Sequence, residues 1–416
     1  MRGMLAVAAA GLLWAASPAW AWTWSDLRSA LPPEVAWSAA REAPAAAEGI
    51  EIAMPEGRLR IVRWARSGDI DLLEEVRFEE RGGGWTSVGR LEVEGMDLPA
   101  LLRGLSSDDP EPAALLVAAV HRGARALGIV SSGGAAIDAL SSFGLDAQGV
   151  WGGIRIEGLR GDRGGDRVAL TLAEVRGLDL AGILADPAAA ALRAFGLLSA
   201  RIEGLSATVD GVEGRLARMT LDVGRIGDRW TRLETEISGL VLAIPDVLPP
   251  PMRTALGDLR ELRLDSRRLQ AEAAPGRWLD DSEVALAGLA ALRWRLEVDA
   301  PDGFGALETI APRAVRVELE DLGAGPRLRR AFPAEAERAR RGGGEIGALL
   351  RAVGVPAPAA GEISASLSAL IAGGARVAWV EGRVDAARPL GELLEGGPDA
   401  AAAYVASWIW RSGGRP

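Results

Sequence analysis

The chain has no cysteine, and reading along it finds no lysine and no asparagine. It holds one histidine, one tyrosine and five phenylalanines in 416 residues. Each absence closes a route. Without cysteine there are no disulfides, thiolate nucleophiles or thiolate-held metals, so stability has to come from buried apolar area. With His121 as the only histidine, a His-Glu-x-x-His zinc site is impossible and any Ser-His-Asp triad must use that one residue. No Gly-x-Ser-x-Gly elbow is present. All 47 basic residues are arginine. Lysine and asparagine have AT-rich codons, so this bias fits a GC-rich bacterial genome better than selection for arginine chemistry. The net charge of −10 gives no counterion-release attraction to phosphate backbones, so no nucleic-acid partner is expected. The same sign disfavours broad adsorption to anionic membranes.

What is present begins with an export signal. Arg2 supplies a short positive region, Met4 to Ala16 is almost wholly apolar, Pro18 breaks that run, and Ala19-Trp20-Ala21 places small residues where a signal peptidase reads them. The apolar run is shorter than the roughly 20 residues a spanning helix needs. The expectation is a signal peptide at residues 1–21, cleaved after Ala21, and a periplasmic protein. Its apolar fraction of 49% is that of a globular chain.

Beyond the signal, one short phrase recurs: Glu92-Val93-Glu94-Gly95-Met96-Asp97-Leu98, Glu174-Val175-Arg176-Gly177-Leu178-Asp179-Leu180 and Glu236-Ile237-Ser238-Gly239-Leu240-Val241-Leu242. Arg155-Ile156-Glu157-Gly158-Leu159 returns as Arg201-Ile202-Glu203-Gly204-Leu205. In each, an alternating run meets a glycine, which suits a strand that bends or bulges there. Strands are expected at 58–66, 70–80, 85–94, 150–159, 168–175, 200–209, 215–226, 230–244, 259–274, 292–298, 315–319, 362–371 and 375–385. Leu292, Trp294, Leu296 and Val298 alternate with Arg293, Arg295, Glu297 and Asp299, giving one buried face and one wet face. Helices are expected at 98–105, 110–127, 180–195 and 334–353, after Pro249-Pro250-Pro251, and at the C-terminus. Ser25 is expected to cap a short helix, and residues 34–47 to form a helix or loose lead-in. Ser131 to Phe143 reads as a small-residue helix or loop. The fold class expected is α+β: a long, curved, mostly antiparallel sheet of repeated strand-strand-helix blocks, with helices on one face. The segments are a lead-in at 22–48, a β-meander with helices at 49–148, and the repeated region at 149–416.

Candidate chemistry is sparse. His121 falls in the expected helix at 110–127 and reads as a packed residue. Ser131-Ser132-Gly133-Gly134 reads as a helix cap. Asp108-Asp109 marks a helix start, Asp280-Asp281 a connection between strands, and Asp162 with Asp166 around Gly164-Gly165 a hairpin tip. Neither a calcium loop nor any other metal pattern is matched, and no cofactor is expected. Arg327-Leu328-Arg329-Arg330, with Arg338, Arg340 and Arg341 beyond, reads as a solvated helix face or as a docking patch for an acidic partner or lipid headgroup. Trp64, Trp85, Trp230, Trp294 and Trp379 sit in strand runs and are expected to fill the core. Asp399 can cap a C-terminal helix over 400–410, whose Tyr404, Trp408 and Trp410 form either an interfacial contact or a packed surface.

The Glu-Val-x-Gly-Leu-x-Leu phrases of this acidic, exported chain resemble the strand ends of periplasmic AsmA-like and related β-rich envelope proteins of Gram-negative bacteria. The resemblance implies a curved sheet with an apolar interior and a role in envelope upkeep. The expected function is a non-enzymatic envelope protein binding lipid or another apolar ligand, with Val168, Leu170, Leu172, Leu292, Leu296, Val315, Val317 and Leu319 as lining candidates. The alternatives are a scaffold that binds another envelope protein, or a hydrolase with a carboxylate-based site.

Overall fold

The computed structural model describes residues 23–30, 36–54, 57–95, 97, 99, 120–146, 149–179, 198–226, 229–244, 249–301, 307–340 and 344–416. The expected signal peptide, the helix at 180–195, all of the helix at 98–105 except Pro99, and residues 110–119 of another lie outside them. Within them the protein is mostly antiparallel sheet. The chain divides into two compact units, Met1–Gly211 and Val212–Pro416.

The N-terminal unit opens with helix α1 (Trp24–Ala30) and strands β1 (Ala36–Ser38), β2 (Arg41–Ala43) and β3 (Ala46–Met54). Then follow β4 (Gly57–Ser67), β5 (Ile70–Glu80), β6 (Trp85–Glu94), β7 (Gly123–Ser131), β8 (Ala135–Ser142), β9 (Val150–Arg163), β10 (Asp166–Asp179) and β11 (Ser199–Val209). From β3 onward each strand pairs antiparallel with the next. Strands β1 and β2 share the edge of β3. The expected boundary at 148/149 therefore falls between two paired strands, β8 and β9.

Several expectations are corrected here. Thr23, not Ser25, caps α1: its hydroxyl accepts from the Asp26 amide at 3.3 Å while the Asp26 carboxylate accepts from the Thr23 amide at 2.6 Å, a reciprocal cap. Residues 36–47 form the strands β1, β2 and the start of β3 with short turns between them, and Pro44, in the turn before β3, could not continue a helix. Residues 123–131 and 135–142 are strands as well. Their alanines favour helix, but propensity is a weak force that tertiary pairing overrides, and Gly123 and Gly128 interrupt a helix, so pairing with β6 and β9 decides.

One line across this unit resets the strands. Ala47, Trp64, Leu73, Leu91, Ala126, Leu140 and Ile156 face one another in a single row on β3 to β9. Ile50, Ile61, Val76, Val88, Ile129 and Ile137 form the next apolar row. The rows lie three residues apart along each strand, where regular alternation allows two. Between them the odd-numbered strands carry Gly49, Glu75, Gly128 and Gly158 with φ of +62°, +51°, +64° and +65°. Because every strand turns at the same level, register is kept: Glu48 opposes Arg63 and Ile50 opposes Ile61 on either side of Gly49. Both rows join one core with Trp24 of α1. The row Glu48, Arg63, Glu74 and Arg90 lies on the other face, where Arg63 pairs with Glu74 at 3.4 Å.

The C-terminal unit contains β12 (Val212–Ile226), β13 (Arg229–Ala243), helix α2 (Pro250–Leu256), β14 (Glu261–Ala274), β15 (Arg277–Leu286), β16 (Ala290–Asp299), a 3-10 turn at Leu307–Thr309 and β17 (Ala311–Asp321). Helices α3 (Ala324–Ala331), α4 (Pro333–Arg340), α5 (Gly344–Ala352) and α6 (Ala357–Ala372) precede β18 (Val377–Arg383). Helices α7 (Leu390–Glu395) and α8 (Gly397–Ala406) precede β19 (Ile409–Arg415). Each strand again pairs antiparallel with the next. At Gly239, φ +64°, the β13–β14 register shifts, the bulge its phrase implied.

Several elements of this unit differ from expectation. Asp280-Asp281 lies inside β15, not between strands. The expected helix at 334–353 is two helices, α4 and α5. The expected strand at 362–371 belongs to α6, whose buried Ala360, Ile363, Ser364, Ser368 and Leu370 keep helical spacing. Pro356 and Pro358 open that helix, since a first-turn proline gives up only an amide that has no partner there. Finally, α8 ends at Ala406, so Trp410 is in a strand.

The line of left-handed residues predicts a specific sensitivity. A Cβ on Gly158 would lie 2.0 Å from the Asp138 carboxylate, whereas one on Gly164, with the same φ of +65°, meets nothing. In urea unfolding, Gly158→Ala is expected to cost about 2 kcal/mol more than Gly164→Ala. Equal losses would show that the close approach does not matter.

Candidate functional site

Alternation in the C-terminal unit builds an aliphatic face. Leu216, Leu240, Leu264 and Leu286 form one cross-strand row. Val284, Leu292, Leu319 and Ala378 form another, and Trp294, Val317 and Val380 a third. One end of the face is roofed. Leu296 packs with Trp278, Val298, Ala300 and Ile310, Val315 with Leu393, Tyr404 and Trp408, and Val380 with Ala360 and Ile363 of α6. At the rim of the roof and beyond it, Leu242, Leu292 and Val317 are 46%, 38% and 37% exposed. Leu319 is half-buried.

The opposite face of the same strands is ionic. Arg293 contacts Glu283 at 2.9 Å, Glu320 at 3.2 Å and Glu318 at 3.4 Å. Exposed pairs of this kind add little stability, about 0–1 kcal/mol each. They keep that face wet and fix which face is apolar.

Of the lining candidates in the N-terminal unit, Val168 opposes Gly161 and Leu170 opposes Leu159, on the face of the apolar rows. Leu172 opposes Glu157 and Glu203, so it lies on the charged face. The reset between Gly158 and Thr171 separates it from the other two, which their spacing alone did not show. Leu172 joins a cleft of about 620 Å³ that Leu159 and Leu170 also line, with Asp138, Arg155, Glu157, Arg160 and Glu203. Those charges pair among themselves, Arg160 with Asp138 at 2.5 Å and Arg155 with Glu157 at 2.5 Å.

The C-terminal aromatics are spent on packing. Tyr404 and Trp408 are buried, the Tyr404 hydroxyl donates to the Pro312 carbonyl at 2.6 Å, and Trp408 stacks on Trp410 with centroids 5.7 Å apart. Because the chain leaves α8 at Ala406 and returns as β19, these rings point under the helices.

Buried polar groups supply the remaining chemistry. The His121 Nε2 lies 2.5 Å from the Ser142 hydroxyl, which also accepts from Trp151 Nε1 at 2.8 Å. This is half of a nucleophile–base arrangement. Both residues are buried, and the tryptophan occupies the oxygen a substrate would need, so the trio ties the strand ends together. Asp71 and Asp280 are buried too. Asp280 is pushed up by burial, but Arg268, Ser282 and Gln270 together hold it below the usual carboxylate range. Asp71 accepts from Trp64 Nε1 at 3.1 Å and from Arg66 at 3.3 Å. There burial outweighs both donors and raises its pKa to about 6. Sequence pattern missed these sites because each acid sits in a strand among residues of ordinary alternation. Among the described residues no group of three or more acidic or histidine side chains is placed to hold a metal ion.

Asp71 generates a pH prediction. Its folded-state pKa lies above the unfolded value, so its stabilising contribution is complete below about 4 and is lost as pH rises through about 6. Relative to Asp71→Asn, the wild type should gain up to about 3 kcal/mol of unfolding free energy between pH 7 and pH 4. A difference that stays flat, or shrinks, would show that Arg66 governs the site instead. No family model, curated protein or solved structure matches the chain.

Proposed function

We propose that the protein is a non-enzymatic, exported envelope protein that binds a lipid acyl chain, or a ligand equally apolar, along the aliphatic face of its sheet. The observation that carries this reading is the set Leu242, Leu292 and Val317, left 37–46% exposed beside aliphatic rows of the same sheet face. Water against such a face costs about 25 cal/mol per Å² of apolar surface. A flexible hydrocarbon chain removes that cost without needing polar partners, and the roofed end supplies a stop. Export rests on the apolar run from Met4 to Ala16 and the Ala19-Trp20-Ala21 site. The resemblance to AsmA-like envelope proteins belongs to the same proposal. So does the plan of strand-strand-helix blocks with helices covering one side of a curved sheet, which α6 over β18 and β19 and α7 with α8 over β17 support.

Native mass spectrometry tests it. Protein purified from periplasmic extract without detergent should carry a lipid-sized adduct. The double variant Leu292→Glu/Val317→Glu should keep the circular dichroism of the wild type and lose most of the adduct. Bare protein in both preparations would overturn the reading, and cross-linked complexes with one envelope protein would favour a scaffold.

A further inference from the structure

The arginine-rich segment noted in the sequence folds into α3 in an unusual way. Two of its arginines are used on neighbouring helix ends. Arg327 donates to the Leu256 carbonyl at 2.7 Å and to Asp258 at 3.0 Å, at the C-terminus of α2. Arg329 donates to the Ile371 carbonyl at 3.1 Å, in the last turn of α6. Cations at helix C-termini meet the negative end of the dipole and satisfy carbonyls that have no partner within the helix. With the charged side chains turned toward the protein, the apolar ones turn outward. Leu328 is 49% exposed and Phe332, one turn on, 36%. Met252, on the α2 helix that Arg327 fastens to α3, is 56% exposed. Arg330 is also exposed.

Residues 324–332 carry three arginines and no acid, a charge of +3 within a chain of −10. Glu335 and Glu337 follow only in α4. Asp258 balances part of the arginine charge, paired with Arg327 and close enough to feel Arg330, and arginine stays in excess. Exposed leucine, phenylalanine and methionine beside such an excess is the composition of an interfacial anchor. Among the described residues no helix is long and apolar enough to cross a membrane.

We propose that α2 and α3 form a docking surface for an anionic lipid bilayer. Met252, Leu328 and Phe332 enter the headgroup boundary and Arg330 pairs with lipid phosphates. This places the membrane contact on α2 and α3 instead of on Tyr404, Trp408 and Trp410. It does not depend on a lipid lying in the sheet.

Co-sedimentation with vesicles of phosphatidylcholine, with and without phosphatidylglycerol, tests it. The purified protein should bind only the phosphatidylglycerol vesicles, and binding should weaken as salt rises from about 0.1 to about 0.5 M. Leu328→Glu and Met252→Glu should each lower the apparent affinity about tenfold or more, with the circular dichroism unchanged. The second variant, on the other helix, keeps the test open if the first disturbs folding. Failure to bind the anionic vesicles, or variants that bind like the wild type, would overturn the proposal. So would equal binding to soluble polyglutamate that survives Leu328→Glu, which would assign the patch to an acidic protein.

Discussion

Antiparallel pairing with one apolar and one ionic face is the constraint on which the rest of the protein depends. In the N-terminal unit that constraint meets a geometric difficulty, since the inward rows lie three residues apart. The left-handed conformations at Gly49, Glu75, Gly128 and Gly158 resolve it by letting two consecutive residues face outward on every strand at one level. The backbone cost of such residues is about 1–2 kcal/mol wherever the position is not glycine. Only Glu75 on this line incurs it. The gain is a continuous core from Trp24 to Leu140.

The C-terminal unit reaches its core by a different route. Its sheet keeps the aliphatic face largely regular, and helices cover part of it. Ala360 and Ile363 press on Val380, while Leu393, Tyr404 and Trp408 press on Val315. Where the helices stop, Leu292 and Val317 are left half in water. The functional proposal grows from that incomplete cover, since the buried acid and hydroxyl that could do chemistry are held by their neighbours. Asp280 is surrounded by Arg268, Gln270 and Ser282, and Ser142 by His121 and Trp151.

Much of the sheet was legible in the sequence. The strands at 70–80 and 85–94 end where expected because Gly82-Gly83-Gly84 and the flanking turns leave no other option. The alternation of Leu292 to Val298 against Arg293 to Asp299 placed one face inward. Other elements misled for physical reasons. Asp280-Asp281 resembles a turn, yet Arg268 allows the first of them to be buried. Residues 362–371 alternate well enough for a strand, but Ala360, Ile363, Leu367 and Leu370 also repeat at helical spacing, and packing on β18 and β19 selects the helix. Leu172 was grouped with Val168 and Leu170 because the bend expected at Gly158 lies on β9 and leaves no mark in the sequence of its partner β10. The exposed side of α3 was equally hidden, since the direction of Arg327 depends on where α2 ends.

The central claim is that the aliphatic face near Leu292 and Val317 receives a hydrocarbon chain. Photolabelling with a diazirine-bearing fatty acid, followed by peptide mapping, addresses it directly. The account predicts label concentrated in the strands spanning 284–319 and competed away by unlabelled fatty acid. Label confined to the arginine–glutamate face, or none above that of an unrelated soluble protein, would contradict it.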